Sequence, residues 1–178
     1  MFFGDGKIYP VAADSVITDN AIDIGDPTLR FKDLHLSGGV VFGDAGGSGT
    51  SLSNTLDSYE EGTWTPTCAV GTISVNYARY TKVGGLVTII ISNIKFSDFT
   101  SASAINIGGL PFTNNVAAAV GSVMISRKDT TESVTAYINT SSTSISFYAN
   151  ATASFSSLRH NELNNSDNGF FITVTYIA

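Results

Sequence analysis

Charge is what this sequence has least of. Lys, Arg, Asp and Glu make up 13% of its 178 residues, about half the share of an average soluble domain. Nine basic side chains against fifteen acidic ones give a net charge of −6, and no cluster of Lys or Arg is present to release counterions from phosphates. A charge-driven nucleic-acid binder is thereby excluded. The one cysteine, Cys68, cannot close an intrachain disulfide. No apolar run approaches the roughly 18 residues of a membrane helix, and the densest, residues 86–91, is interrupted by Thr88, so no membrane insertion is expected. Met1-Phe2-Phe3-Gly4-Asp5 lacks the basic region and apolar stretch of a signal peptide.

Spacings that would support catalysis are missing too. His35 and His160 are the only histidines, with no paired Cys or His at metal spacing, so no metal or other cofactor is expected. The stretch Gly43-Asp44-Ala45-Gly46-Gly47-Ser48-Gly49 ends without the Lys-Ser/Thr of a phosphate loop and contains no nucleophile elbow. Glu60 and Glu61 are adjacent, and neighbours on an extended chain point to opposite faces, so they could not flank one glycosidic bond. Asp14, Asp19, Asp23 and Asp26 form no twelve-residue calcium loop and are read as solvated or capping residues. No enzymatic activity is expected.

What fills the chain instead is hydroxyl, glycine and β-branched or aromatic residues. Ser and Thr supply roughly a quarter of it, Gly contributes 17 residues, and 43% is hydrophobic. From Thr63 onward the apolar period is mostly two. Ile73, Val75 and Tyr77 alternate with Ser74 and Asn76; Val134, Ala136 and Ile138 with Thr135 and Tyr137; Ile145 and Phe147 with Ser144 and Ser146. About eight strands are predicted, near 63–68, 73–82, 86–96, 103–108, 116–127, 133–139, 143–149 and 169–177, with hairpin turns at Gly84-Gly85 and at residues 139–142. The fold class is all-β, an antiparallel sandwich. Residues 86–91 and 170–177 are apolar on both parities, which predicts cover on both faces, the second from neighbouring subunits. The small residues of 116–121 predict a close backbone approach, at a symmetry axis or in a narrow core layer. Residues 1–42 hold too few apolar side chains for a core of their own, and residues 29–36 fit a strand and a helical turn equally poorly. The expected division is a shaft or neck segment at 1–56, with a Gly-rich linker at 43–50, and a C-terminal domain at 57–178.

Two phrases resemble the fibre proteins of tailed bacteriophages. Leu29-Arg30-Phe31-Lys32-Asp33-Leu34-His35-Leu36-Ser37-Gly38, preceded by Asp19-Asn20-Ala21-Ile22-Asp23-Ile24-Gly25, is similar to a repeat of their shafts, with His35 where Tyr is more usual. Tyr59-Glu60-Glu61-Gly62-Thr63-Trp64-Thr65-Pro66-Thr67 resembles the entry into their C-terminal domain, followed here by Tyr77-Ala78-Arg79-Tyr80-Thr81-Lys82-Val83-Gly84 and Gly108-Gly109-Leu110-Pro111-Phe112. Together the phrases touch about half the chain in the family's order. The resemblance implies a homotrimeric fibre end on the virion: an intertwined shaft segment, then a sandwich or jelly-roll tip. Its partners would be the rest of the phage tail and a host receptor, lipopolysaccharide, capsule or outer-membrane protein. The implied role is attachment, with a structural fibre or decoration module and a polysaccharide depolymerase as alternatives. The chain is then expected to be the distal piece of a longer fibre.

Receptor contact is expected in the long polar stretch 150–168, where Phe155 offers an aromatic face for sugars and Arg159, His160, Asn161, Asn164 and Asn165 offer polar partners. Phe96 and Phe99, in Lys95-Phe96-Ser97-Asp98-Phe99-Thr100, form a second candidate. Trp64, Tyr59 and Tyr80 are read as structural anchors at the domain base, with Tyr77 packed near them.

Overall fold

The computed structural model describes residues 2–4, 7–9, 24, 26–41, 55–56, 58–128, 132–150, 154–163 and 168–178; the expected linker at 43–50 lies outside the described residues. Two compact units are present, Met1–Gly38 and Gly39–Ala178. In the first, β1 (Phe2–Gly4) pairs antiparallel with β2 (Lys7–Tyr9). Residues 26–36 form neither strand nor helix. Asp26 and Leu29 exchange two backbone hydrogen bonds of 3.0 and 3.1 Å, and the Asp26 carboxylate accepts both the backbone N–H and the hydroxyl of Thr28. These bonds hold its carboxyl below the usual range, the hydroxyl bond foremost. Leu29, Phe31, Leu34 and Leu36 stay exposed, because without a partner strand neither period gathers them onto one dry face.

The second unit is all-β and antiparallel. It opens with a two-stranded ladder of β3 (Val40–Val41) and β4 (Thr55–Leu56). Nine further strands follow: β5 (Tyr59–Thr63), β6 (Ile73–Val83), β7 (Leu86–Phe96), β8 (Asn106–Gly108), β9 (Ala119–Ile125), β10 (Ser133–Ile138), β11 (Ser144–Asn150), β12 (Phe155–Ser157) and β13 (Phe170–Ile177). They form one sheet in the order β12-β11-β10-β9-β13-β7-β6-β5, with β8 beside the start of β11 on the edge that β12 takes further along. The sheet curls into a half-barrel. The segment after β5 reaches back to β8, where Thr67 and Gly108 exchange N–H···O bonds of 3.0 and 2.8 Å. No α-helix occurs among the described residues; residues His160–Glu162 form one 3-10 turn.

Both predicted hairpin turns are present. Val83 pairs with Leu86 across Gly84-Gly85, and the positive φ of Gly84 alone is the signature of a type II′ turn. The concave face holds the core. Phe170 takes part in edge-on ring contacts with Phe96 (5.2 Å) and Phe147 (5.4 Å), and Val87, Ile89 and Ile91 project inward from β7. At Asn93, with φ of 54°, β7 bulges against the step from Phe170 to Ile172, and the inward positions change parity to Ile94 and Phe96. On β6 the same step puts Ile73 and Val75 against the core but turns Tyr77 outward, so Tyr77 is not the inward packing residue that its alternation suggested.

The doubly apolar strands are covered on one face only within a single chain: Leu86, Ile90 and Ile177 lie on the outer face and are exposed. The close approach expected in 116–121 falls on Gly121, packed beneath Val174 of the same chain, which makes it a narrow core layer. The stretch 150–168, expected to be one long polar connection, contains edge strand β12 and the 3-10 turn.

Candidate functional site

The structure sorts the expected contact residues by depth. Phe155 is 68% exposed, on β12 at the sheet edge. Asn161 is exposed. The Arg159 guanidinium donates to the Ala102 carbonyl, and its backbone N–H donates to the Glu162 carboxylate at 2.7 Å. His160 is fully buried and Phe96 is 2% exposed, so neither can meet a receptor in the folded chain. Their rings pack edge-on at 5.5 Å. His160 Nδ1–H donates to the Asp98 carbonyl at 3.3 Å, which leaves Nε2 facing the Cys68 thiol at 3.9 Å. Phe99 is half-buried against the core and borders a shallow concavity with Thr72 and Lys95. Asn164 and Asn165 lie outside the described residues.

The neighbouring loop is tied down from within. Asp98 accepts the backbone N–H groups of Ser101 (2.8 Å) and Thr100 (3.1 Å), and these bonds hold its carboxyl below the usual carboxylate range.

Among the anchors, Trp64 is half-buried against the core, and its buried indole N–H has no partner among the described residues. Tyr80 packs edge-on against Phe112 at 5.4 Å and donates to Glu60. Tyr59 is exposed rather than packed, and its hydroxyl donates to Glu61 at 3.0 Å. Each carboxylate thus receives a different phenol. The bond to Glu60 raises the Tyr80 phenol, and that to Glu61 raises Tyr59.

A feature not anticipated lies on the convex face over β9 to β12. Tyr137, Tyr148 and Phe155 stand in a row, each neighbouring pair edge-on, with centroids 5.6 and 5.1 Å apart. They border a cleft of about 560 Å³ with Thr135, Asn139 and Asn150, and exposed Val120 lies at its margin. The strand lattice positions these groups. Tyr148 sits opposite Thr135 across the β10–β11 ladder, and Asn150 sits opposite Phe155 across β11–β12. Asn150 donates its amide N–H to the Thr135 hydroxyl at 2.9 Å. The hairpin end is pinned by buried Asn114, whose amide donates to the carbonyls of Ala117 (2.6 Å) and Asn139 (3.1 Å). The hydroxyls of Tyr137 and Tyr148 and the amide N–H groups of Asn139 have no protein partner among the described residues. Among the described residues no Lys, Arg, His, Asp or Glu lines the cleft.

A clue to this cleft was present in the sequence: Tyr137 and Tyr148 occupy the wet parity of otherwise alternating strands, where a buried aromatic has no reason to be. Elsewhere on the convex face a groove of about 380 Å³ holds Glu61, Thr81 and Arg79, the last stacked over Tyr77 at 5.3 Å. No cluster of three or more His, Cys, Asp or Glu suited to a metal occurs among the described residues. Comparison with protein families, curated proteins and solved structures finds no match for this chain.

Proposed function

We propose that this chain is the distal end of a tailed-phage tail fibre, a homotrimer that attaches the virion to a host bacterial surface by multivalent non-covalent contact. In this reading residues 57–178 are the tip, the curled sheet being its jelly-roll-like sandwich, and residues 1–56 belong to an intertwined shaft. The observation that carries it is a row of apolar side chains left in water. Tyr59 pairs with Val83, Val83 with Leu86 and Leu86 with Ile177, so the row runs unbroken across β5, β6, β7 and β13. All four side chains are exposed. Monomeric soluble proteins seldom leave so continuous an apolar row uncovered, and copies of the same chain would cover it without any new surface chemistry. Leu29, Phe31, Leu34 and Leu36, exposed in the first unit, call for the same cover. The convex face is then divided: an aliphatic half toward sister subunits, and an aromatic and amide half over β9 to β12 toward the receptor. Three linked copies raise avidity, so each contact can be weak.

Light scattering is expected to give three times the 18.7 kDa chain mass, and Leu86→Asp, which sets a charge within the row, to release single chains. Fluorescently labelled trimer is expected to adsorb to some bacterial isolates and not others. A single-chain mass for the parent protein refutes the reading. A trimer that adsorbs to no isolate points to a structural module, and release of reducing sugars from surface polysaccharide points to a depolymerase.

A further inference from the structure

Building on the attachment reading, we infer that the cleft over β9 to β12 binds an uncharged glycan, one pyranose stacking on Phe155 and Tyr148, and that it discriminates against acidic polysaccharides. Four observations converge on that ligand.

The first is the arrangement of the rings. Because Tyr137, Tyr148 and Phe155 meet edge-to-face, each contact covers one face of one ring and leaves the remaining faces uncovered by it, and Phe155 is 68% exposed on a short edge strand. A large apolar ring held there gains little from its own chain. The C–H face of a pyranose is apolar, slightly electropositive and flat, and complements the electron-rich face of an aromatic ring.

The second is hydrogen-bonding capacity. Two phenol hydroxyls and the Asn139 amide N–H groups face the same space without protein partners among the described residues. A phenol both donates and accepts, as a sugar hydroxyl does, so the two can pair in either sense.

Charge is the third. With no ionisable side chain other than tyrosine around the cleft among the described residues and −6 on the chain, a carboxylated or phosphorylated sugar would lose water and gain no counter-charge. The basic side chains expected from sequence among the receptor contacts are committed elsewhere: His160 is in the core, and Arg159 is bonded to the Ala102 carbonyl.

The fourth observation is rigidity. The cleft stands on the face of a sheet, braced by the Asn150–Thr135 bond and the Asn114 pin, so little ordering entropy is lost on binding. Its floor is the face of the paired strands β10 and β11, and the one free edge beside it, that of β12, is three residues long, which disfavours an extended peptide that would bind by adding a strand.

The test uses the full chain as the trimer on an array of neutral and acidic bacterial-type oligosaccharides. Parallel binding is measured to soluble dextran, mannan, hyaluronan and polygalacturonate. Retention of at least one neutral glycan and none of the acidic ones is expected. Phe155→Ala should weaken the neutral interaction about tenfold or more, since its ring would be largely buried by the sugar. Tyr148→Phe, which keeps the ring and removes the hydroxyl, should weaken it less, and Val116→Ser, exposed outside the cleft, should leave it unchanged. Far-ultraviolet circular dichroism of each variant separates misfolding from loss of contact. Equal retention of acidic glycans, retention of no neutral glycan, capture of peptides only, or unchanged binding by a folded Phe155→Ala protein overturns the assignment. Cell adsorption measured on the same proteins keeps the two levels apart. Adsorption that survives Phe155→Ala and excess neutral glycan refutes this site and leaves the attachment reading standing. Absence of adsorption by a protein that binds neutral glycans refutes the attachment reading and leaves the site.

Discussion

Adding one methyl group at Gly121 should reverse the usual sign of a glycine-to-alanine change in a strand. Gly121 sits on the inward parity of β9, beside β13. A Cβ there would lie 2.3 Å from Val174 Cγ2 and 2.5 Å from the Thr173 carbonyl oxygen. At an unobstructed strand position the exchange stabilises by about 0.5–1 kcal/mol, because the unfolded chain loses freedom. Neither neighbour of Gly121 can give way cheaply. Val174 is 1% exposed within the core, and Thr173 is backbone-paired with Ser122 of β9 itself, so relief means prising β9 from β13. Overpacking of this kind costs about 1–3 kcal/mol, and the close approach to backbone sets Gly121→Ala at about 2 kcal/mol or more of net destabilisation. In a unit of this size that is a fall in Tm of about 4–8 °C. Urea titration should show a lower midpoint at unchanged m, with Gly38→Ala, which meets nothing within 4 Å, as the unaffected reference. A Gly121→Ala protein as stable as its parent, or more so, would refute the packing argument.

Two further outcomes follow from buried polar groups. Asn168 is fully buried and its amide acts as a surrogate strand for Phe96, accepting that residue's N–H at 3.0 Å and donating to its C=O at 3.3 Å. Asn168→Ala strands both groups in the core and should cost about 2–4 kcal/mol in urea unfolding; a loss below about 0.5 kcal/mol would show that the amide contributes no net stability. Tyr176 donates to the Phe112 carbonyl at 3.0 Å, and burial pushes its phenol up to about 12 from the ordinary 10.0. The fold therefore favours the neutral phenol. Its contribution is whole below pH 10 and is lost as pH rises through about 12. Alkaline unfolding of Tyr176→Phe should lack the part of the pH dependence that falls in this window, and coincident alkaline curves for the two proteins would count against it.

From residue 73 onward most strands were legible in the sequence because a one-sided sheet writes its burial as alternation, whereas the strand expected at 63–68 lies at Tyr59–Thr63 and β12 falls within the expected polar connection. Ala136, Ile138, Ile145 and Phe147 are dry as their parity requires. Alternation fails where the ladder is irregular: Asn93 in a left-handed conformation shifts β7 by one position, and with it the face taken by Tyr77 on β6. Local polarity also misled the reading of His160. Arg159 and Asn161 flank it, but its burial is decided by Phe96 and by Asp98, 62 residues earlier, and such contacts leave no local trace. The cleft was half legible. Phe155 was identified by composition, whereas Tyr137 and Tyr148 join it only through the register of β10, β11 and β12.

The placement of Tyr59 and Ala178 in the sheet has a mechanical consequence. Tyr59, at the start of β5, pairs with Val83 beside the β6–β7 turn, and Ala178 donates to the Gly85 carbonyl at 2.8 Å, so both points share one end of the sheet. A pull arriving through residue 58 runs along β5 and loads all five of its pairs with β6 at once, in shear. Such a lattice resists rupture better than one peeled pair by pair. Phe155, on β12 at the opposite edge of the sheet, is separated from β5 by six strands, so a load that parts β5 from β6 leaves the ring's own strand pairing intact.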